Sequence, residues 1–228
     1  MLFGGLQKTT LSDFPGHIAA LVFTQGCTFR CPYCHNPELV KKGESSFTTE
    51  EVLSFLQKRQ GKLTGLVVSG GEPTLHCELP QFLRSVKELG YDIKLDTNGS
   101  RPGVIKELLA DKLIDYVAMD VKAPLGKYEQ LAGRQVDTSS IAKTIALLVQ
   151  SQVAHEFRTT VVSPFLTEDD LVEIGTLVQG ANKYVLQPYR KLKTLNENWS
   201  LGARQMEQVI MERVSSKLKA CGLSCSIR

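Results

Sequence analysis

Short, continuously apolar runs alternate along this chain with stretches whose apolar positions recur every three or four residues. The runs are IAALVF from Ile18, GLVVSG from Gly65, DIKLDT from Asp92, DYVAMDV from Asp115, FRTTVV from Phe157 and KYVLQP from Lys183. Most are β-branched or apolar at successive positions, as strands covered on both faces are. The periodic stretches predict helices. TTEEVLSFLQKRQG sets Thr48 three residues before Glu51, a capping-box pattern, and stops at Gly61; ELPQFLRSVKELG stops in the same way at Gly90. GVIKELLADK, SSIAKTIALLVQ, TEDDLVEIGTLVQ and the amphipathic ARQMEQVIMERVSSKLKACG continue the alternation, with a short last strand at LSCSIR. The Met and Ile stripe of that last helix reads as a packing face. Strict alternation of strand and helix predicts a parallel sheet wrapped by helices. Six such units in this sequence are too few to close an eight-stranded barrel. The expected fold class is therefore α/β, an open partial (βα)6 barrel with parallel strands. No repeat or linker interrupts the pattern, so residues 1–228 are expected to form one domain: an N-terminal extension over 1–16, core βα units over 17–190, and a C-terminal helix and strand over 191–228.

Composition changes this picture little. The chain has 228 residues, 42% apolar and 22% charged, which is ample for a sizeable core. A net charge of +3, with Lys and Arg spread along the chain, lacks the clustered basic stripe of a nucleic-acid binder. MLFGGLQKTTLSDFPGH has no basic segment followed by an apolar core, so it does not read as a signal peptide. The longest apolar stretch, HIAALVFTQG, falls well short of the ~20 residues a membrane span needs. A cytoplasmic protein with neither nucleic-acid nor membrane partners is expected. Its six cysteines would then stay reduced, which suggests metal binding or catalysis over disulfides.

Candidate chemistry falls at one kind of place. In folds of this class ligands gather at the carboxyl ends of the strands. Three cysteines follow the first apolar run, SGGEP the second, DTNGS the third, DVKAP the fourth, SP the fifth and QPYR the sixth. One shared site is expected. Cys27, Cys31 and Cys34 are spaced C-x3-C-x2-C with no fourth cysteine nearby. Three thiolates in one loop suit a cubane 4Fe-4S cluster whose fourth iron is left open to a ligand that is not protein. The alternatives are a zinc site that adds His35, and thiols with no ligand role. Adjacent Cys34 and His35 would struggle to share one tetrahedral ion.

With Tyr33 before the third cysteine, this spacing resembles the signature of the radical S-adenosylmethionine (radical SAM) superfamily. The longer string DFPGHIAALVFTQGCTFRCPYCHNPEL resembles the anaerobic ribonucleoside-triphosphate reductase activating proteins, relatives of the pyruvate formate-lyase activating enzymes. The resemblance covers nearly the whole chain. It implies one 4Fe-4S cluster on Cys27, Cys31 and Cys34, with S-adenosylmethionine (SAM) as cosubstrate and Tyr33 at the cofactor. It implies that Ser69, Gly70, Gly71 and Glu72 meet the amino group of SAM. Asp120 and Lys122 match an Asp-x-Lys pair whose lysine is directed at the SAM carboxylate. Asp96 and Thr97 match a third-strand position where some relatives hold a monovalent cation beside SAM, and Asn98, next in that segment, is a further candidate for the cofactor site. Arg190 stands near the place of a histidine that contacts SAM in the pyruvate formate-lyase type, a departure from that pattern. No catalytic side chain is implied beyond the cluster and SAM.

The implied activity is reductive cleavage of SAM and formation of a glycyl radical on an anaerobic ribonucleotide reductase, with a flavodoxin-like electron donor. A radical SAM enzyme acting on a small molecule, like the 7-carboxy-7-deazaguanine synthases, is the alternative, and a non-catalytic zinc-binding module a remote one. Arg158 lies on the fifth run without an assigned role. His155 reads as a structural residue, Cys77, Cys221 and Cys225 as residues outside a second cluster. Asp13 and Gly16 either frame the substrate opening or make a tight turn.

Overall fold

The computed structural model describes residues 1–41, 43 and 46–228. The chain divides into two compact units, one of Met1–Thr28, Glu38–Thr97 and Gly103–Val117, the other of Phe29–Pro37, Asn98–Pro102 and Ala118–Arg228.

The first unit begins with β1 (Leu2–Thr10), which pairs antiparallel with β2 (Ala19–Thr24). The N-terminal segment, expected as an extension ahead of the core units, thus carries a strand of the sheet that the sequence did not reveal. Its polar and glycine-rich sequence hid it, because a strand that pairs antiparallel through two register shifts leaves no continuous apolar run. After α1 (Pro37–Val40), β3 (Phe47–Thr48) adds to the outer edge of β1. Next come α2 (Thr49–Lys58), β4 (Gly65–Gly70), α3 (Leu79–Glu88), β5 (Asp92–Thr97) and α4 (Pro102–Ala110). β2, β4 and β5 pair in parallel. The Thr48–Glu51 capping box forms as the spacing predicts, each partner bonding the other's backbone N–H. Gly90, at φ 85°, directly follows the C-cap Leu89 of α3 as expected, whereas α2 is already capped at Arg59 and Gly61, at φ 73°, lies two residues beyond.

One face of this sheet is apolar at the amino ends of its strands. Phe14, Ala19, Leu21 and Val67 form a buried cluster there, with Phe23 and Tyr116 packed on it. A Cβ on Gly65 would fall 2.8 Å from the Phe14 ring, so a glycine at the start of β4 lets that ring in. Phe14 belongs to the DFPG segment, whose turn is closed by His17 N–H donating to Phe14 O at 3.1 Å, with Gly16 at φ 81°. Gly16 thus sits in the tight turn that the sequence offered, while Asp13, just ahead of it, accepts from the Thr10 hydroxyl; both precede β2, at the strands' amino ends.

β6 (Tyr116–Asp120) crosses from the first unit into the second. The second unit continues with α5 (Tyr128–Ala132), α6 (Thr138–Gln150), β7 (Ala154–Ser163), α7 (Glu168–Leu177) and β8 (Tyr184–Pro188). It ends with α8 (Glu197–Gly202), β9 (Arg204–Gln205), α9 (Gln208–Ala220) and β10 (Cys225–Ile227). β7, β8 and β10 pair in parallel, while β9 lies antiparallel on β7. The last helix was expected to start near Ala203. It starts at Gln208, because Arg204 and Gln205 are taken by strand pairing. Its stripe of Met211, Val214 and Leu218 is buried, and Leu218 lies so close to Gly175 of α7 that a Cβ there would sit 2.3 Å from it. The packing reading of that stripe holds. The result is an α/β fold of mostly parallel strands in a partial barrel-like sheet, as expected.

Candidate functional site

None of the six cysteines is tied up in a disulfide. Cys31 is buried, and Cys27 and Cys34 are partly so. The chain entering the cysteine loop is tied down by its own backbone: Gly26 N–H donates to Leu39 O at 2.8 Å and Cys27 N–H to Val40 O at 3.2 Å. Further on, Cys34 N–H donates to Cys31 O at 3.0 Å and Arg30 N–H to Ala132 O at 2.8 Å. A Cβ on Gly133, at φ 69°, would meet Arg30 O at 2.1 Å, so that glycine lets the loop seat against α5.

The SGGEP segment packs against the approach to Cys27. Gly71 N–H donates to Thr24 O at 2.9 Å, and Glu72 N–H to Gly26 O at 2.8 Å. Gly70 has φ 117°, and a Cβ on Gly71 would fall 2.1 Å from Gly26 O. The sequence suggested that these glycines admit a ligand; the structure supplies another requirement, close passage of β4's end past the chain leading to Cys27. Glu72 is fully buried, and its Oε1 accepts from Thr74 N–H at 3.1 Å, Thr74 Oγ1 at 2.6 Å and Thr97 Oγ1 at 2.8 Å. Thr97 and Glu72 thereby bolt the ends of β4 and β5 together. Ser69 Oγ donates to Asp96 Oδ2 at 3.0 Å, and the buried Lys94 ammonium pairs with Asp96 Oδ1. Lys94 escaped the sequence reading, where one lysine in a strand passes for a solvent-facing residue.

In the second unit, Asn98 Oδ1 accepts from Ser100 N–H at 3.0 Å, and Gly99 has φ 74°, the Asn-Gly turn the sequence allowed. Asp120 accepts from Lys122 Nζ at 2.9 Å and from Arg158 Nε at 2.9 Å. Burial alone would raise the Asp120 carboxyl, but Arg158 and Lys122 outweigh it and hold the group well below the usual carboxylate range. Burial likewise opposes the Lys122 charge, and Asp120 more than reverses this, so Lys122 is pushed well above an ordinary lysine. Arg158 thus gains a role the sequence left open, completing an ion triad with the Asp-x-Lys pair. Tyr33 is buried beside Cys31, Lys122 and Asp120, and its hydroxyl has no hydrogen-bond partner among the described residues. Burial, then Cys31, push that hydroxyl well above its ordinary value, against the pull of Lys122.

Arg190 has an exposed side chain, and its carbonyl is held at 3.0 Å by His35 Nε2, whose ring stacks on Tyr189. His155 is buried with both ring nitrogens engaged, by Val153 O at 2.9 Å and by Asn182 N–H at 3.3 Å, a structural residue as expected. A cavity of about 820 Å3 opens beside Arg30 and Pro32 of the cysteine loop, walled by Phe165 stacked on Trp199 at 4.1 Å and by Asn196. Among the described residues no three His, Cys, Asp or Glu side chains converge on a point that would hold a single metal ion. No described helix is long and apolar enough to cross a membrane.

The family model for the radical SAM superfamily matches residues 21–178. The chain belongs to the radical SAM superfamily. Within it, this chain is a homologue of the glycyl-radical enzyme activating enzymes. It is 34% identical over 203 residues to a protein named as a glycyl-radical enzyme activating enzyme in Methanocaldococcus jannaschii, covering 87% of this chain and 84% of that one. It is 30% identical to the pyruvate formate-lyase 1-activating enzyme of Escherichia coli, covering 92% of each. Among solved structures, SuiB of Streptococcus suis bound to precursor peptide SuiA gives a TM-score of 0.73 at 12% identity, over 91% of this chain and 48% of that one; this shows the fold alone. Radical SAM enzymes use a 4Fe-4S cluster and SAM. The donor set here fits: three cysteines outside any disulfide and within eight residues of chain are the soft ligands iron-sulfur clusters take, one iron to each thiolate, so no shared single-ion point is needed. The orphaned Tyr33 hydroxyl and the charged triad are polar groups of the kind a zwitterionic cosubstrate satisfies.

Proposed function

We propose that this radical SAM protein installs a glycyl radical on a partner enzyme, and that the partner is an anaerobic ribonucleotide reductase. The observation that carries the activase reading is the match to activating enzymes along 84% and 92% of their own lengths. The narrower choice of partner is supported by the DFPG-to-cysteine string of the sequence. Relatives named as activators of an enzyme support a macromolecular substrate over the small-molecule alternative.

When bound, a 4Fe-4S cluster and SAM together supply one-electron reductive cleavage of the sulfonium, with abstraction of a hydrogen atom from the substrate. The chain's own residues hold, orient and shield. Cys27, Cys31 and Cys34 would hold the cluster, and the tied backbone at Gly26 and Cys27 fixes the start of their loop. Asp120, Lys122 and Arg158 carry one net positive charge between them, which suits the SAM carboxylate. The rigid end of β4, locked by Glu72, presents Ser69 and backbone carbonyls to the amino group. Arg190, with its exposed side chain, is assigned to the rim of the same cofactor site. A flavodoxin-like protein supplies the electron.

The test is anaerobic incubation of the reduced, reconstituted protein with SAM and a candidate anaerobic ribonucleotide reductase, followed by electron paramagnetic resonance. A glycine-centred doublet on the reductase is expected. Deoxyadenosine formation without that doublet refutes the chosen partner, and the same assay with other glycyl-radical enzymes then identifies the substrate.

A further inference from the structure

β5 reads DIKLDT, and its third residue is out of keeping with a strand interior. Lys94 is 2% exposed, and a lone ammonium so buried is costly unless an anion meets it. The alternation of a strand puts Lys94 and Asp96 on one face. The parallel register sets Lys94 beside Val67, a member of the apolar cluster with Phe14 and Leu21. The lysine stem therefore lies along apolar surface and its head rises one layer to the Asp96 carboxylate. There Oδ1 takes the ammonium while Oδ2 takes the Ser69 hydroxyl at 3.0 Å.

The resemblance described above led to the expectation of a monovalent cation held at Asp96. We propose that the Lys94 ammonium is that cation, tethered to the chain: it orients Asp96 and supplies the positive charge, so this protein uses no Na+ or K+ there. An inorganic cation on the same carboxylate would have to sit beside the ammonium and be repelled by it. Lys94 is a positioning residue acting through Asp96, and the assignment rests on Asp96 standing in the cofactor site.

The test compares the reconstituted protein in KCl, NaCl and choline chloride at equal ionic strength, reading Tm without SAM and, separately, the SAM dissociation constant. Wild type is expected to be indifferent to the choice of salt in both. Lys94→Met keeps the stem and removes the charge. In choline chloride its Tm should fall and SAM binding weaken, and KCl or NaCl should restore Tm by about 3–6 °C once present at roughly ten times its dissociation constant. Adding Asp96→Asn should abolish that response, which a merely structural loss of packing would not produce in the first place. Two results overturn the proposal: a wild type that loses Tm or SAM affinity when Na+ and K+ are withdrawn, or a Lys94→Met protein no more responsive to KCl than to choline chloride. Should Lys94→Met fail to fold in every salt, Lys94→Gln takes its place, and the wild-type comparison decides independently. Because Tm is read without SAM, a protein that binds no SAM in any salt would count against the functional reading and leave the cation result standing.

Discussion

Asp120→Ala probes the ion triad most sharply. The carboxylate faces Lys122 and Arg158, each at 2.9 Å, and the three side chains are 31%, 14% and 13% exposed. Removing it leaves two largely buried cations uncompensated, which typically costs about 3–5 kcal/mol. Partial exposure of the carboxylate places the expectation at the lower end, near ~3 kcal/mol. In urea, with a slope of about 3 kcal/mol/M for a chain of this size, the unfolding midpoint should fall by about 1 M. Asp111→Ala is the control, since Arg84 and Asp111 are 44% and 40% exposed and such pairs are worth under about 1 kcal/mol. The pH dependence has a definite sign. Asp120 is depressed in the folded protein, so its contribution is present above the unfolded carboxylate value of about 4 and fades as pH falls through the lower folded value. The gap between wild type and Asp120→Asn should therefore be full at pH 7 and shrink only below about pH 4. Equal losses for Asp120→Ala and Asp111→Ala under anaerobic urea denaturation would refute the triad as a buried, stabilising network.

Replacing Cys27, Cys31 or Cys34 by Ala should abolish both iron retention and deoxyadenosine formation, while Cys77→Ala and Cys221→Ala, at exposed positions, should leave iron content unchanged. Lys122→Met should weaken SAM binding at least about tenfold, the weight of one charge-assisted contact, without lowering iron per chain, as measured by equilibrium binding and iron assay. Loss of iron instead would move Lys122 out of the cosubstrate role. Gly71→Ala forces a Cβ to within 2.1 Å of Gly26 O, so the approach to Cys27 must shift; a stability loss of about 1–3 kcal/mol with poorer cluster incorporation is expected.

Much of this was legible from pattern. GLVVSG and DIKLDT are strands over the same residues as read, Gly65–Gly70 and Asp92–Thr97, because each is an apolar parallel strand bounded by polar or glycine punctuation. The Thr48 and Asn98 local motifs formed because they involve neighbours within a few residues. What escaped depends on distant partners. Leu2–Thr10 is a strand only because β2 offers it an edge, and Arg204–Gln205 only because β7 does. The role of Arg158 needs Asp120, 38 residues earlier in the chain, and that of Lys94 needs a face that alternation defines but sequence does not label as inward. Phe14 was read only as part of a turn, and the open space at Gly65 that receives it is visible only in three dimensions.

The central claim is that Cys27, Cys31 and Cys34 hold a cluster with one iron left for SAM. Its most direct test is the electron paramagnetic resonance spectrum of the anaerobically reconstituted, reduced protein before and after SAM is added, with iron and acid-labile sulfide assayed in parallel. Equal iron and sulfide, together with a spectrum that shifts on adding SAM, is the predicted result. A spectrum indifferent to SAM, or a colourless chain carrying zinc, would contradict it.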